Sequence, residues 1–186
     1  MGKLVYLMNV SLDGFVARPD GSVDWTVVDD ELHGWFNEHM RDVSLSLYGR
    51  RLYEVMAAYW PTGDTNPEST ETMREFARLW QATPRVVFST TLDSVDHNSR
   101  LARSDVAEEL ANVRREFDGD IEVGGPTLAG SFIRRGLVDE FGLVIHPVVL
   151  GAGKPFFPEL ERPIQLRKTT TRAFESGVVY VGYERA

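Results

Sequence analysis

Lys3 to Val10 (KLVYLMNV) is an almost unbroken apolar and aromatic run, closed by the turn chemistry of Asp13-Gly14 and Asp20-Gly21. Such a run predicts a largely buried strand. From Asp29 the spacing changes. Leu32, Trp35, Phe36, Met40 and Val43 recur at three, four and seven to eight residues, which places them on one helical face. Asp29, Asp30 and Glu31 fall in the first turn of that helix, where the dipole favours anions. Ser44 to Tyr48 (SLSLY) alternates as a second strand, and Gly49 releases it into Arg50 to Tyr59, where Leu52, Val55, Met56 and Tyr59 form a second helical stripe.

Pro61 to Ser69 reads as a polar loop, and a third helix aligns Met73, Phe76, Ala77 and Trp80 before Pro84 ends it. Arg85 to Ser89 is a further strand. Ser104 is placed to cap a helix carrying Val106, Leu110, Val113 and Phe117, and Ile121 to Val123 is a short buried strand. Alternation of strand and helix implies crossover connections and a mainly parallel sheet covered on both faces. The pattern then changes to extended runs at Glu140 to Leu150, Ile164 to Phe174 and Val178 to Arg185, the last two joined by a hairpin turn at Glu175-Ser176-Gly177. The expectation is one α/β domain over residues 1–186, with a sheet that finishes antiparallel and no internal repeat.

Composition narrows the function. With 186 residues and 42% apolar content the chain is long enough for a single core. No window approaches the roughly 20 apolar residues of a membrane span, and the first strand has no basic leader, so a soluble, cytoplasmic protein is expected. The absence of cysteine excludes disulfides, thiolate metal sites and a Cys nucleophile. A formal charge of −8 argues against nucleic acid as a partner. It leaves room for a small anionic ligand where cations gather, at Arg50-Arg51 and again at Arg100 and Arg103, although scattered surface arginines are the plainer account. The four histidines show no metal-ligand spacing, so no metal is expected. The GxxxxGK[ST] and early GxGxxG patterns are missing, as is a GxSxG elbow.

One junction carries more chemistry. Val123 ends a strand, Gly124-Gly125 turn the chain, Pro126 occupies the first helical turn and Gly136 stands where the helix should stop. Glycine at both turn positions permits φ > 0 and a close approach to the backbone, with the free N–H groups of Thr127 and Leu128 facing a ligand. An anion is the natural guest of a helix N-terminus. For an isolated Gly-Gly pair a tight strand-to-helix turn with no ligand is the plainer account. Gly49-Arg50-Arg51 repeats the device, and two such junctions with an arginine pair suit a dinucleotide that carries a phosphate monoester.

Ser11-Leu12-Asp13-Gly14-Phe15-Val16-Ala17, Gly49-Arg50-Arg51-Leu52-Tyr53-Glu54, Val87 to Leu92, Gly124-Gly125-Pro126-Thr127-Leu128 and Gly136 to Gly153 together resemble the dihydrofolate-reductase-like superfamily. Within it they are most similar to the reductase domain of bifunctional riboflavin-biosynthesis deaminase-reductases and its stand-alone relatives. The resemblance spans nearly the whole chain. It implies an α/β fold with a central mixed, mostly parallel sheet flanked by helices, NADPH as cofactor, a small-molecule substrate and a homodimer. It also implies site residues. Gly49, Arg50, Arg51 and Leu52 would hold the cofactor phosphates, Ser89, Thr90 and Thr91 the adenosine 2′-phosphate region, and Val123, Gly124, Gly125, Pro126, Thr127 and Leu128 the pyrophosphate. Val16 and Ala17 would border the nicotinamide.

Two departures restrict the activity. A cysteine-free chain cannot supply the zinc motif of a deaminase, so deamination is excluded. True dihydrofolate reductases bind the pterin through a carboxylate one turn before a Trp-Phe pair on the first helix. Here Trp35-Phe36 match the pair while the corresponding position is Leu32. The expected function is NADPH-dependent reduction of a small C=N or C=O substrate, with Asp13 or Asp30 orienting the substrate or relaying a proton and Trp25 stacking on a flat ring. A non-catalytic NADP(H)-binding protein and a genuine dihydrofolate reductase are the alternatives.

Overall fold

The apolar run at the start forms β1 (Leu4–Ser11), and the structure, a computed structural model describing residues 2–186, explains why both its faces are apolar. Leu4, Tyr6 and Val10 point into one buried cluster, while Val5 and Leu7 point into another on the opposite side of the sheet. A short β2 (Phe15–Ala17) precedes α1 (Asp30–Asp42), β3 (Val43–Gly49) and α2 (Arg50–Ala57). A 3-10 turn at Trp60–Thr62 leads to α3 (Glu71–Ala82), β4 (Arg85–Phe88) and β5 (Ser99–Ala102). The second half contains α4 (Val106–Glu116), β6 (Asp120–Gly124), α5 (Pro126–Arg134), β7 (Glu140–His146), β8 (Lys154–Pro155), β9 (Leu166–Ala173) and β10 (Val179–Arg185).

Eight strands form one sheet in the order β5-β4-β3-β6-β1-β7-β10-β9. All pairings from β5 to β7 are parallel, and β10 joins antiparallel to β7 and to β9. The expected mixed sheet with an antiparallel finish is therefore what forms. One face is covered by α4 and α5 through Leu110, Val113, Phe132 and Ile133. On the other face α1 inserts Leu32 against Val5, Leu7 and Val144, and α2 packs Tyr53 on Tyr48 and Val87. No helix among the described residues is long and apolar enough to cross a membrane.

Several local expectations change. The cap of α4 is Asp105, whose side chain accepts from the Ala107 N–H at 2.9 Å, whereas the Ser104 hydroxyl donates to Glu109. In α2 the buried residue is Tyr53, and Val55, placed in the stripe by spacing, is 63% exposed. β7 stops at His146 because Pro147 has no N–H to continue the ladder. Strands β2, β5 and β8 escape the hydrophobic pattern altogether: they are short, and their apolar residues are bounded by polar ones.

Candidate functional site

β3 and β6 are parallel neighbours, yet the helices that follow them leave toward opposite faces of the sheet. This is the arrangement that opens a crevice at the carboxyl ends of strands in an α/β sheet. The starts of α2 and α5 meet across it. A side-chain carbon on Gly49 would sit 3.6 Å from Leu128 Cβ, and one on Gly125 would sit 3.8 Å from Leu52 Cβ.

The two glycines of the β6–α5 junction serve different needs. Gly125 has φ of +94°, a conformation that other residues avoid. Gly124 has no positive φ; it is required for space, because a Cβ there would collide with Leu52 Cδ2 and lie 3.2 Å from the Tyr48 ring. Pro126 opens α5 and no side chain caps it, so the first N–H groups of the helix, including those of Thr127 and Leu128, have no capping partner. The other end is closed: Gly136, at φ +71°, donates to Ile133 O and Leu137 donates to Phe132 O, a Schellman arrangement.

Beside these helix starts lies a cleft of about 460 Å³. Arg50, Ser89, Thr90, Thr91 and Leu128, all singled out in the sequence, line it together. Phe88, Ala102, Arg103, Ser104 and Val106 complete the lining. Arg103 stood out in the sequence as part of a cationic cluster, and Phe88, Ser104 and Val106 only as parts of a strand and of a helix start; Ala102 arrives with β5, which pattern reading missed. Arg100, the other half of that cluster, is held by the carboxylate of Glu109 instead. No carboxylate lines the cleft among the described residues, although the chain as a whole carries a net charge of −8. Ser89 organises its rim: the hydroxyl oxygen accepts from the N–H groups of Thr91 at 3.1 Å and Leu92 at 3.0 Å, leaving Thr90 and Thr91 exposed. Arg50 is braced by Glu54 at 3.0 Å, and Arg51 beside it is exposed.

The floor of the crevice continues along β1. Its pairing with β6 ends at Tyr6–Val123, whereas its pairing with β7 runs on to Ser11–His146. From Leu7 onward the edge facing β6 has no strand partner among the described residues.

The remaining predicted residues lie apart from the cleft. Val16 and Ala17 are buried, and Val16 belongs to the cluster that contains Val10 and Phe156. Asp13 accepts from the Ser11 hydroxyl at 2.6 Å and from the N–H groups of Leu150 and Gly151 at 3.1 and 2.7 Å. These bonds, that of Ser11 foremost, hold its carboxyl below the ordinary Asp range and pin the loop after β7 to the end of β1. Asp30 accepts from the Thr72 hydroxyl at 2.6 Å, which ties α1 to α3 and lowers its pKa. Asp29 caps Leu32 N–H at 2.8 Å, and Glu31 accepts from Glu175 N–H at 3.1 Å. Leu32 itself is fully buried. Every carboxylate in the first turn of α1 is thus engaged outside the crevice. Trp25 is 9% exposed and stands edge-on to His146, with ring centroids 5.6 Å apart. His146 was not singled out as functional from the sequence.

Comparison with known proteins agrees with this architecture. The RibD C-terminal domain family matches residues 3–180. The uncharacterized protein YyaP of Bacillus subtilis (strain 168) is 35% identical over 182 residues, covering 97% of this chain and 94% of that protein. A solved protein of Shewanella sp. PV-4, assigned provisionally to riboflavin biosynthesis, superposes with a TM-score of 0.77 at 20% identity over 100% of this chain and 99% of that one. The diaminohydroxyphosphoribosylaminopyrimidine deaminase/5-amino-6-(5-phosphoribosylamino)uracil reductase of Thermotoga maritima gives 0.68 at 17% identity, with all of this chain covering 57% of that one. Dihydrofolate reductase from Enterococcus faecalis, complexed with NADP(H), gives 0.66 at 19% identity over 99% and 96% of the two chains. The fold is dihydrofolate-reductase-like, as the sequence motifs implied.

Proposed function

Because this chain belongs to the RibD C-terminal domain family, we propose that it is an NADPH-dependent reductase of a small heterocyclic, carbonyl or imine substrate, akin to the reductase of riboflavin biosynthesis. The observation that carries the reading is the meeting of two uncapped helix starts with Arg50 and Arg103 at one carboxylate-free cleft. A dinucleotide with several phosphates matches that donor set. The solved neighbour holding NADP(H) supports the choice of cofactor.

In this reading the N–H groups of Thr127 and Leu128, presented by Val123 to Pro126, receive the pyrophosphate. Gly49, Arg50, Arg51 and Leu52 flank it from the opposite helix. Ser89, Thr90 and Thr91, joined by Arg103, receive the ribose 2′-phosphate through hydroxyls and a guanidinium. The unpaired edge of β1 offers the alternating N–H and C=O groups that a carboxamide requires. Val16 and Ala17 would back that end of the cofactor from the buried side. The cofactor, when bound, would supply a hydride to a polarised C=N or C=O carbon, with a proton from solvent completing the reduction at the nitrogen or oxygen. The chain contributes by holding the two reactants in register and keeping water away. Trp25, buried beside His146, would back the substrate end near β1, and Asp13 orders the loop after β7. A homodimer and a cytoplasmic setting accompany the family reading.

The geometry gives a dihydrofolate reductase reading no support, since Asp29, Asp30 and Glu31 are all bound elsewhere. A test is calorimetric titration with NADPH and NADH, followed by absorbance assays of NADPH oxidation with a panel of ketones, cyclic imines and pyrimidinediones. NADPH is expected to bind at least tenfold tighter than NADH, as loss of one charge-assisted contact of about 1.5–3 kcal/mol requires. Equal affinity would remove the 2′-phosphate site. Tight NADPH binding with no oxidation across the panel would favour the non-catalytic alternative.

A further inference from the structure

We propose that Asn9 orients the hydride acceptor through its side-chain N–H groups, with the direction of its amide set by His146. The acceptor then offers a carbonyl oxygen or a ring-nitrogen lone pair at that point. The inference rests on the reductase reading and specifies the substrate class for it.

Strand alternation places the residues. Val5 and Leu7 of β1 face α1, so Asn9 and Ser11 follow on the same side; Val144 of β7 faces α1 as well, and His146 with it. Asn9 lies on the stretch of β1 whose other edge lacks a strand partner among the described residues, at the end of the crevice away from the arginines.

The hydrogen bonds then fix the chemistry. The Val27 N–H lies 3.4 Å from His146 Nδ1, and a backbone N–H only donates, so Nδ1 is the bare nitrogen. A neutral imidazole therefore carries its proton on Nε2, which lies 2.9 Å from Asn9 Oδ1. Burial favours the neutral ring by lowering the His146 pKa. With Oδ1 committed to the histidine, Asn9 is left presenting its NH2 group, on a residue that is only partly buried. The Trp25 ring abuts His146, and its indole N–H is buried without an acceptor among the described residues. The Asn9 N–H groups, at the end of the crevice, complement lone pairs. They do not complement the amino-bearing face of a pterin, which needs an acceptor.

The experiment uses N,N′-dimethyluracil, a ring with two carbonyl oxygens and no N–H, as the probe. NADPH affinity is first measured by calorimetry for the wild type, Asn9→Asp and Asn9→Ala, and is expected to agree within about twofold, since no cofactor phosphate contact changes. The NADPH-loaded proteins are then titrated with the probe by ligand-observed NMR. Replacing the donor by an acceptor in Asn9→Asp is expected to weaken the probe by roughly tenfold, and Asn9→Ala by less, because it removes the donor without adding repulsion. Nitrogen-15 spectra of the His146 ring should show the proton on Nε2 at neutral pH. Equal probe affinity in the wild type and Asn9→Asp, no uptake of the probe by the wild type, or a proton on Nδ1 would each overturn the proposal. Failure of the wild type to bind NADPH would instead overturn the cofactor reading, and the probe contrast and ring spectra would then decide the role of Asn9 on the free protein.

Discussion

Leu52 of α2 lies against Gly124 of β6 so closely that no side-chain carbon fits between them. This contact brings the helix that follows β3 against the strand that leads into α5, and the crevice depends on it. Gly124→Ala should push Leu52 aside, reduce stability by about 1–3 kcal/mol as overpacking does, and weaken NADPH. Gly125→Ala should cost roughly 1 kcal/mol through its positive φ. Chemical denaturation and calorimetry on both variants measure the two effects separately.

Arg50 and Arg103 reach the same cleft from elements more than fifty positions apart. Arg103→Ala should lower NADPH affinity by tenfold or more, the equivalent of about 1.5–3 kcal/mol for a charge-assisted contact, while leaving NADH nearly unchanged. Arg50→Ala with Arg51→Ala should weaken NADPH more than NADH. Paired titrations with the two cofactors provide the measurement, and equal losses would place the arginines elsewhere.

His39 of α1 and Glu122 of β6 meet at 2.7 Å, both largely shielded from water. Burial works against protonation of His39, but the hydrogen bond and charge of Glu122, with Asp42 and Asp120 beyond, outweigh it and raise the pKa above 6.5. A raised histidine pKa stabilises the fold fully below the unfolded value and loses that contribution as pH rises through the folded value. The stability advantage of the wild type over His39→Gln should therefore be greatest in mildly acidic buffer and fall as the pH rises past neutrality. Urea titrations across that range test it.

Arg85 is 1% exposed; its guanidinium lies 3.8 Å from the centre of the Trp80 ring and donates to the Trp80 and His97 carbonyls and to Ser99. It joins the end of α3 to the loop before β5. Arg85→Met should cost about 2–4 kcal/mol, because acceptors that the guanidinium satisfied are left unpaired. The cleft lies at the other end of β4, so NADPH affinity should change little. Denaturation and cofactor titration on the same variant separate the two.

Much of this was legible locally. The α1 stripe, the strand at β3 and the stop at Gly136 follow from periodicity and φ within a few residues, and they formed close to where the spacing placed them. Gly125 and Pro126 were readable for the same reason. The hydroxyl cluster Ser89-Thr90-Thr91 and Arg50, each quoted from the sequence, line one cleft. Strand β5 was not legible: Ser99–Ala102 has no alternation of its own, and its place is decided by pairing with β4.

The sequence by itself determined the alternating α/β order, the antiparallel finish and the two glycine-led helix starts, because each depends on backbone preferences and on side chains a few positions apart. Only the tertiary structure decided that β6 lies between β3 and β1, that Leu52 fills the space above Gly124, that Arg103 faces the cleft while Arg100 pairs with Glu109, and that His146 holds Asn9. Those contacts join residues far apart in the chain, and strand order, which no local pattern encodes, selects among the possible partners.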